Sequence, residues 1–512
     1  MRTKIIYCLL LCTTLLWSCN TEPSQRGTNY YLDAENGNDT NDGLSEEKPW
    51  KTLANIQKIK LEAGDSLLFR RGTTFNGILE ISGQGSPDSR IVIDAYGVGE
   101  KPCIAAPDSA LYTVCIRNSD YVTLQNLEIT NIGKQFMPKR TGVKVLCEEY
   151  GTSHGIHLNK LNIHNIKGSL VKKEGGGSGI LIENKWKETV SVFDSLLIED
   201  CIIRRCERNA MIWNGPWSRK NWHLSTNTIV RRNLIEEVPG DGIVPIGCDG
   251  ALIEYNLMRN CPATLPDTEA AAGMWPWSCD NTVIQFNEAS DHKAPWDAQG
   301  FDSDYNCTNT RIQYNYSHDN EGGFVLVCNA GKWETDPSDN IGNIDTRILY
   351  NISINDAIRS RKARGKIFSP TIHIGGPVKD TEIRNNILHV NVKPESHIDR
   401  SIITSDSWSG YADSTRVIGN IFYTPETSTF KLTESTNNLF DGNYYLGTFK
   451  DIPKDINAKK HSAMYQSLLQ KDPKGFGALE SLMKKIKIAD GEAYITVIDK
   501  EAIEAFFDNL KD

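Results

Sequence analysis

The chain has no surplus of positive charge. Its 56 lysines and arginines face 65 aspartates and glutamates, for a net charge of −9. No basic stripe tracks along it, which sets nucleic-acid binding aside. After residue 18, no apolar run is long enough to span a bilayer. Low-complexity tracts are missing as well. At 39% hydrophobic and 24% charged, with 40 glycines and 20 prolines in 512 residues, the composition is ordinary for globular chains. Collagen-like and long disordered readings are excluded. Few segments carry a 3.6-residue apolar period, which argues against helical repeats. Tight His/Cys spacings of the zinc kind are absent, although the chain holds 13 cysteines.

What is present begins with a leader. Arg2 and Lys4 precede an apolar run from Ile5 to Trp17. That run is too short for a membrane span and reads as a secretory signal. The ending Leu16-Trp17-Ser18-Cys19 resembles a bacterial lipobox, which implies a signal peptide over 1–18 and lipidation of Cys19. A plain secretion signal or an uncleaved anchor is the alternative. Residues 19–29 are polar and suit a tether. The expected location is exported and membrane-anchored, at the outer membrane, the cell surface or a periplasm-facing site. Cleavage would remove two positive charges and no negative one. Cys8, Cys12 and Cys19 belong to this leader, and export permits disulfides among the rest.

A repeat decides the expected fold. A β-rich run, an asparagine and a second short β-rich run recur as VTLQNLEITN (122–131), TIVRRNLIEE (228–237), ALIEYNLMRN (251–260) and TVIQFNEASD (282–291). The pattern continues as TRIQYNYSHDN (310–320), TRILYNISIND (346–356), TEIRNNILHV (381–390) and TRVIGNIFYT (415–424). Asn233, Asn256, Asn287, Asn315, Asn351, Asn386 and Asn420 align at spacings of 23, 31, 28, 36, 35 and 34 residues. Units of that size with short alternating strands mark a stacked solenoid. The fold class is therefore all-β, a single-stranded right-handed parallel β-helix of about ten to twelve turns. The asparagine is expected at the bend between strands, with a left-handed backbone and a stacked amide ladder.

A second column supports the solenoid. DGIVPIGC (241–248), AAGMWPWSC (271–279), QGFDSDYNC (299–307) and GGFVLVC (322–328) each end in cysteine. Cys248, Cys279, Cys307 and Cys328 are expected to stack on successive turns as reduced, inward thiols. The helix proper is placed at 30–450. A short helix near 50–60 and a helical extension over 451–512 are expected to cover its ends.

The stretch YYLDAENGNDTNDGLSEEKPWKTL (30–53), with GDSLLFRRGTTFNGIL (64–79) and IVIDAYGVGEKP (91–102), resembles the opening of secreted bacterial proteins of the pectate-lyase-like β-helix superfamily. GFDSDYN and NYSHDNEGG resemble β-helix proteins of the same group, including glycosidase-like members. The resemblance covers most of the chain and implies a polysaccharide-handling protein. The superfold hosts hydrolases, lyases, epimerases and inert adhesins. The adjacent aspartates and Gly-His-Gly of polygalacturonases do not occur here, nor does the Trp-Ile-Asp-His of pectate lyases. Pectin-specific chemistry loses ground accordingly.

Candidate chemistry concentrates between 210 and 335. Trp213, Trp217, Trp222, Trp275, Trp277, Trp296 and Trp333 fall there, and flat aromatic faces suit sugar rings. Within WDAQGFDSDYN (296–306), Asp302 and Asp304 share one face of a strand if 301–305 is extended. Cysteine alignment puts Met274 and Pro276, or Ile243 and Pro245, beside them. Two acids in an apolar column demand a solvated groove, and such a pair can serve as acid and base in glycoside hydrolysis. A calcium site or a polar turn is the competing explanation. Asp241, Asp297 and Glu321 are alternative catalytic acids, and Glu269 lies near the same face. His292 and His318 are candidates for binding substrate or holding a carboxylate, together with Trp213, Trp217, Trp275, Trp277 and Trp296. The basic run 359–366 suits contact with acidic sugars, with a solvated loop as the alternative.

The leading expectation is a lipid-anchored glycoside hydrolase acting on a complex glycan, with Asp302 and Asp304 as acid and base. A polysaccharide lyase using Ca²⁺-assisted β-elimination on uronates is the first alternative. A non-catalytic surface glycan-binding protein is the second. No cofactor is required by the hydrolase, Ca²⁺ remaining an option for the lyase. The expected partners are a glycan and, through the anchor, a membrane, with a monomeric chain and no nucleic acid.

Overall fold

The computed structural model describes residues 27–330, 339–362, 365–390, 399–459 and 479–510. The leader with Cys19, and Trp333, lie outside the described residues. Nearly every strand is short and pairs in parallel with its counterpart one coil before and one coil after. The chain is a right-handed parallel β-helix. One face is a sheet of 14 strands running from Asn29–Leu32 to Leu439–Asp441. The stack exceeds the about ten to twelve turns expected from the repeat. The reason is that early coils such as Asn29–Leu32 and Ser66–Arg70 pair in the same way without the asparagine motif.

Alternation explains why so little sequence makes each coil. A three-residue strand turns its central side chain inward and its neighbours outward. Ile198, Val230, Ile253, Ile284, Ile312, Ile348, Ile383 and Val417 thus stack in register, and all are fully buried. Each such burial is worth about 1.5–3 kcal/mol.

The asparagine ladder forms and adds Asn443 to the expected series. Each amide Nδ2 donates to the Oδ1 of the next asparagine at 2.9–3.1 Å. The ladder opens at the Cys201 backbone N–H, which donates to Asn233, and closes on Asp455. One expectation is corrected. The left-handed residue is the one before each asparagine, at Arg232, Tyr255, Phe286, Tyr314, Tyr350, Asn385, Gly419 and Gly442. The amide must face the interior to reach its neighbours, so the preceding residue makes the bend. Four of those outer positions build a stacked aromatic column, Tyr255–Phe286–Tyr314–Tyr350, with centroids 5.2, 5.3 and 5.5 Å apart.

The cysteine column is shorter than expected. Cys248, Cys279 and Cys307 occupy successive coils, and the Cys248 backbone N–H donates to Cys279 Sγ at 3.3 Å. Asn343 takes the next place, because Ile344 pairs with Thr308. Cys328 instead ends the strand Gly323–Cys328 on another face. All the cysteines outside the leader are free thiols.

The ends also differ from expectation. The N-terminal helix is a single 3-10 segment, Leu53–Lys58, capped by Thr52. Of the C-terminal segment, Asp455 and Lys459 pair with the last coil, whereas the part from 479 onward covers a flank. Its antiparallel hairpin, Met483–Ile488 with Ala493–Ile498, packs Ile495 and Val497 over Leu234 and Leu257. Its helix, Lys500–Asn509, lays Ile503, Phe506 and Phe507 over Ile352, Ile387 and Ile421. Among the described residues no helix is long and apolar enough to cross a membrane.

Candidate active site

The site lies on the face whose strands include Arg140–Glu148, Gly177–Lys185, Asn209–Asn214, Gln299–Ser303, Gly323–Cys328, Ile372–Gly375 and Ser401–Asp406. Its inward column runs Val143, Ile180, Met211, Ile243, Met274, Phe301, Val325, Ile372 and Ile403, all fully buried. Phe301 therefore pairs with Met274, which fixes Asp302 and Asp304 as outward residues. The Asp302 backbone N–H donates to Met274 O and that of Asp304 to Pro276 O, so the flanking side chains are Trp275 and Trp277. The cysteine alignment, which put Met274 and Pro276 beside the acids, is off by one. One extra residue before Cys307 shifts the register, and a one-residue shift exchanges the two faces. On the other side stand Leu326 and Cys328.

Asp302 and Asp304 do converge. A carboxylate oxygen of each and Cys328 Sγ all lie within 4.8 Å of one another. Asp302 is 4% exposed, and its Oδ1 is buried without a protein partner. Burial first, then the charges of Asp304, Asp297 and Asp241, push its carboxyl well above the usual carboxylate range. Asp304 is half-buried; its Oδ1 accepts the Tyr305 backbone N–H at 2.7 Å and the Cys328 thiol at 3.2 Å. Burial raises it to about 6 against those two bonds and the charge of Lys172.

Asp297 enters from the corner before the strand. Asp297 and Ala298 are both left-handed, with φ of 58° and 64°, a strained pair for residues with a β-carbon. The corner is over-determined. The Ala298 backbone N–H donates to Ala271 O, and buried Arg359 donates to Asp297 O at 2.8 Å, Ala294 O at 3.1 Å and Phe368 O at 2.9 Å. The Asp297 carboxyl is also raised by burial, opposed by His373, Arg359 and Lys172.

Two cavities lie near the acids, one of them lined by Asp297. One, of 190 Å³, is lined by Trp296, Asp297, Gln299, Lys366, Phe368, His373, Asp406 and Trp408. Here His373 pairs with Asp406 at 2.9 Å and lies edge-on to Trp408 and Phe368. The other, of 380 Å³, includes Lys144, Lys172, Glu183, Asn209, Asn214, Trp213 and Trp277. Trp213 and Trp277 leave their indole N–H groups without a protein partner. Trp217, 40% exposed, stacks on Trp277 at 6.1 Å. Acids capable of holding or giving a proton thus sit near aromatic-walled cavities with hydrogen-bonding rims, an arrangement suited to a polyhydroxylated ligand.

Several expected site residues lie elsewhere. Asp241 is fully buried, ion-paired to Arg208 at 2.8 Å, and accepts the Trp275 indole N–H at 3.2 Å. It anchors Trp275, which is itself buried under the Lys172 ammonium and offers no sugar platform. Glu269 is buried, its carboxylate near Arg208 at 3.3 Å. Glu321 pairs with Arg361 at 3.0 Å. Arg359 and Arg361 of the basic run are therefore structural, and of that run Lys366 joins Arg359 at the smaller cavity. His292 is buried with Nε2 against Gly240 O at 2.9 Å, and burial lowers it to about 4, so it stays neutral. His318 is paired with Glu288 and Asp319, which raise it to about 10 against burial. Glu288 also accepts the Thr496 backbone N–H, which places His318 under the C-terminal hairpin and away from the cleft.

Reasoning along the chain missed Lys172, His373, Asp406 and Trp408, which come from coils before and after the aspartate strand. Register was the available signal, since Asp302, Leu326 and His373 align across successive strands. For a metal, the three donors Asp302, Asp304 and Cys328 are the cluster at hand. Calcium takes about six to eight oxygen ligands, so two carboxylates and a thiol do not fit it.

No family profile matches the chain. A curated relative, a lacto-N-biosidase of Bifidobacterium longum subsp. longum, is 26% identical over 84% of this chain. The chain spans only 31% of that relative's length. Among solved structures, the native GH136 lacto-N-biosidase from Eubacterium ramulus is similar with a TM-score of 0.59. It is 25% identical, over 83% of this chain and 68% of that one. Its selenomethionine derivative gives a TM-score of 0.57 at the same identity and coverage.

Proposed function

We propose that the protein is a glycoside hydrolase acting on oligosaccharides, with Asp297 and Asp304 as the acid–base or acid–nucleophile pair. One observation carries this reading. Two partly accessible carboxyls, both raised by burial, lie near one another, Asp297 lining the smaller cavity and Asp304 beside Trp277 of the larger one. Carboxyls that must exchange protons near neutrality need to be raised in this direction. Asp302, first among the sequence candidates, is nearly inaccessible; it acts instead as the buried neighbour that sets the charge of the other two. Trp217, Trp277 and Trp296 supply subsites, whereas Trp213, like Trp275, is buried and only backs the larger cavity. The similarity to lacto-N-biosidases supports glycosidic cleavage and puts oligosaccharides ending in lacto-N-biose first among substrates to try.

The same proposal includes export and a lipid anchor at Cys19, which rest on the leader sequence. A radiolabelled fatty acid incorporated by the whole chain and lost in Cys19→Ala tests the anchor.

The deciding experiment incubates the protein with a glycan panel and reads products by mass spectrometry. Products heavier by one water, reduced at least about 100-fold in both Asp297→Asn and Asp304→Asn, are expected. Unsaturated products would replace the hydrolase by the lyase. Hydrolysis that persists in both variants would remove these two acids. The anomer released, read by proton NMR, then assigns a retaining or inverting course.

A further inference from the structure

Cys328 has no place in the thiol column and no place in the inward core column. It is an outward residue on the strand beside the acids, yet it is only 2% exposed. Its Sγ lies 3.2 Å from Asp304 Oδ1, the oxygen that also takes the Tyr305 backbone N–H. Both bonds fall on one oxygen, so Oδ2 is the atom left for chemistry. A thiol is a weak donor, but a bond to a carboxylate gains from charge. The thiol stays a thiol here: burial, Asp304 and Asp302 together push it far above its ordinary range.

We propose that Cys328 is a positioning residue, whose S–H fixes the Asp304 carboxylate so that Oδ2 faces the substrate and the ionised form is favoured. The inference rests on the hydrolase reading for its catalytic consequence, but the bond itself does not. Among the described residues, Asp297, Asp302, Tyr305 and the Cys307 thiol act on Asp304 from its own segment and Lys172 from the turn at 172–174, while Trp277 on the preceding coil does not titrate. Cys328 is thus the sole side-chain donor on the following strand that reaches the carboxylate. Removing it leaves Asp304 with one backbone bond among three acids.

Two measurements separate this inference from the function. The first needs no substrate. The S–H stretching band of Cys328 is isolated by subtracting the infrared spectrum of Cys328→Ser, and compared with the band in Asp304→Asn. A weakening of the hydrogen-bonded band in Asp304→Asn is expected; an unmoved band would overturn the bond even if hydrolysis is confirmed. The second follows kcat/KM against pH. In Cys328→Ala the acidic limb should move up by about 0.5–1 pH unit, with kcat lowered more than KM is raised, and Cys328→Ser should restore the wild-type limb. A general loss of rate with the limb unmoved would make Cys328 a packing residue only. Failure to find any hydrolysis, with the infrared shift present, would sink the function and leave the bond.

Discussion

The α-carbon of Gly322 lies so close to the carbonyl of Asp297 that a β-carbon there would stand 1.6 Å from that oxygen. The opposing atom is backbone, so no side chain can swing aside. Gly322→Ala must therefore displace the left-handed corner that carries Asp297. The expected result is a fold that persists, by unchanged far-UV circular dichroism, with kcat down at least about 10-fold. A fully active alanine variant would mean that the Asp297 corner is not catalytic.

Arg359 tests the same corner from the other side. Its guanidinium serves three carbonyl oxygens from within the protein, a planar fork that the single ammonium of a lysine reproduces only in part. Arg359→Met strands those acceptors and should cost about 2–5 kcal/mol in urea titration. Arg359→Lys should recover part of the stability and little of the activity. If both variants unfold at the wild-type midpoint, the bonds contribute nothing.

The ladder offers a different kind of prediction. Asn315 donates to Asn351 and accepts from Asn287, so its loss breaks bonds on both neighbouring coils. Asn315→Leu has nearly the right volume, leaves unpaired amide groups above and below, and should destabilise by about 2–4 kcal/mol. Asn443, the last asparagine of the ladder, keeps the same bonds with the Asp455 carboxylate in place of the next amide. Its replacement by leucine should cost at least as much as that of Asn315, by chemical denaturation under the same conditions.

The solenoid was legible because its cause is periodic: one asparagine and one inward aliphatic per coil repeat in the chain itself. The site was legible in part. Trp296, Asp297, Asp302 and Asp304 are contiguous, and acids beside tryptophans are visible in a line of text. What orders them is not. Register decides that Asp302 stands beside Trp275 rather than Met274, and it turns on one extra residue before Cys307 that no local signal marks. His373 and Asp406 come from later coils, and although Asp406 stands two residues before Trp408, only the strand register brings them to the acids. Asp241 misled for the opposite reason. Pro-Gly-Asp-Gly looks like an exposed turn, and only packing reveals Arg208 against it.

The flank cover was misread as an end cap because helical composition names an element and not its docking place. Phe506, Phe507 and Ile503 lie over Ile352, Ile387 and Ile421, which would otherwise form an exposed apolar strip on several coils. Phe507→Asp, placing a charge against that strip, should loosen the C-terminal helix and promote association, read by light scattering. An unchanged association state with a protected helix amide pattern in hydrogen exchange would show that the strip needs no cover.

The acids at the cleft also set a sign for stability against pH. Asp302 and Asp304 both have folded-state values raised above the ordinary carboxyl value, the second to about 6. A raised acid favours folding while it is protonated. The contribution is complete below the unfolded value of about 4 and is lost as pH rises through the folded one. Stability should therefore fall between pH 4 and about 6 as Asp304 ionises, and Asp302 should continue the loss at higher pH. Asp302→Asn imitates the protonated carboxyl and removes the repulsion. It should raise the thermal midpoint at pH 8 and change it little at pH 4, while shifting the acidic limb of kcat/KM downward as Asp304 and Asp297 lose a like-charged neighbour. Equal midpoints for variant and wild type at both pH values would mean that Asp302 carries no unfavourable charge in the folded protein.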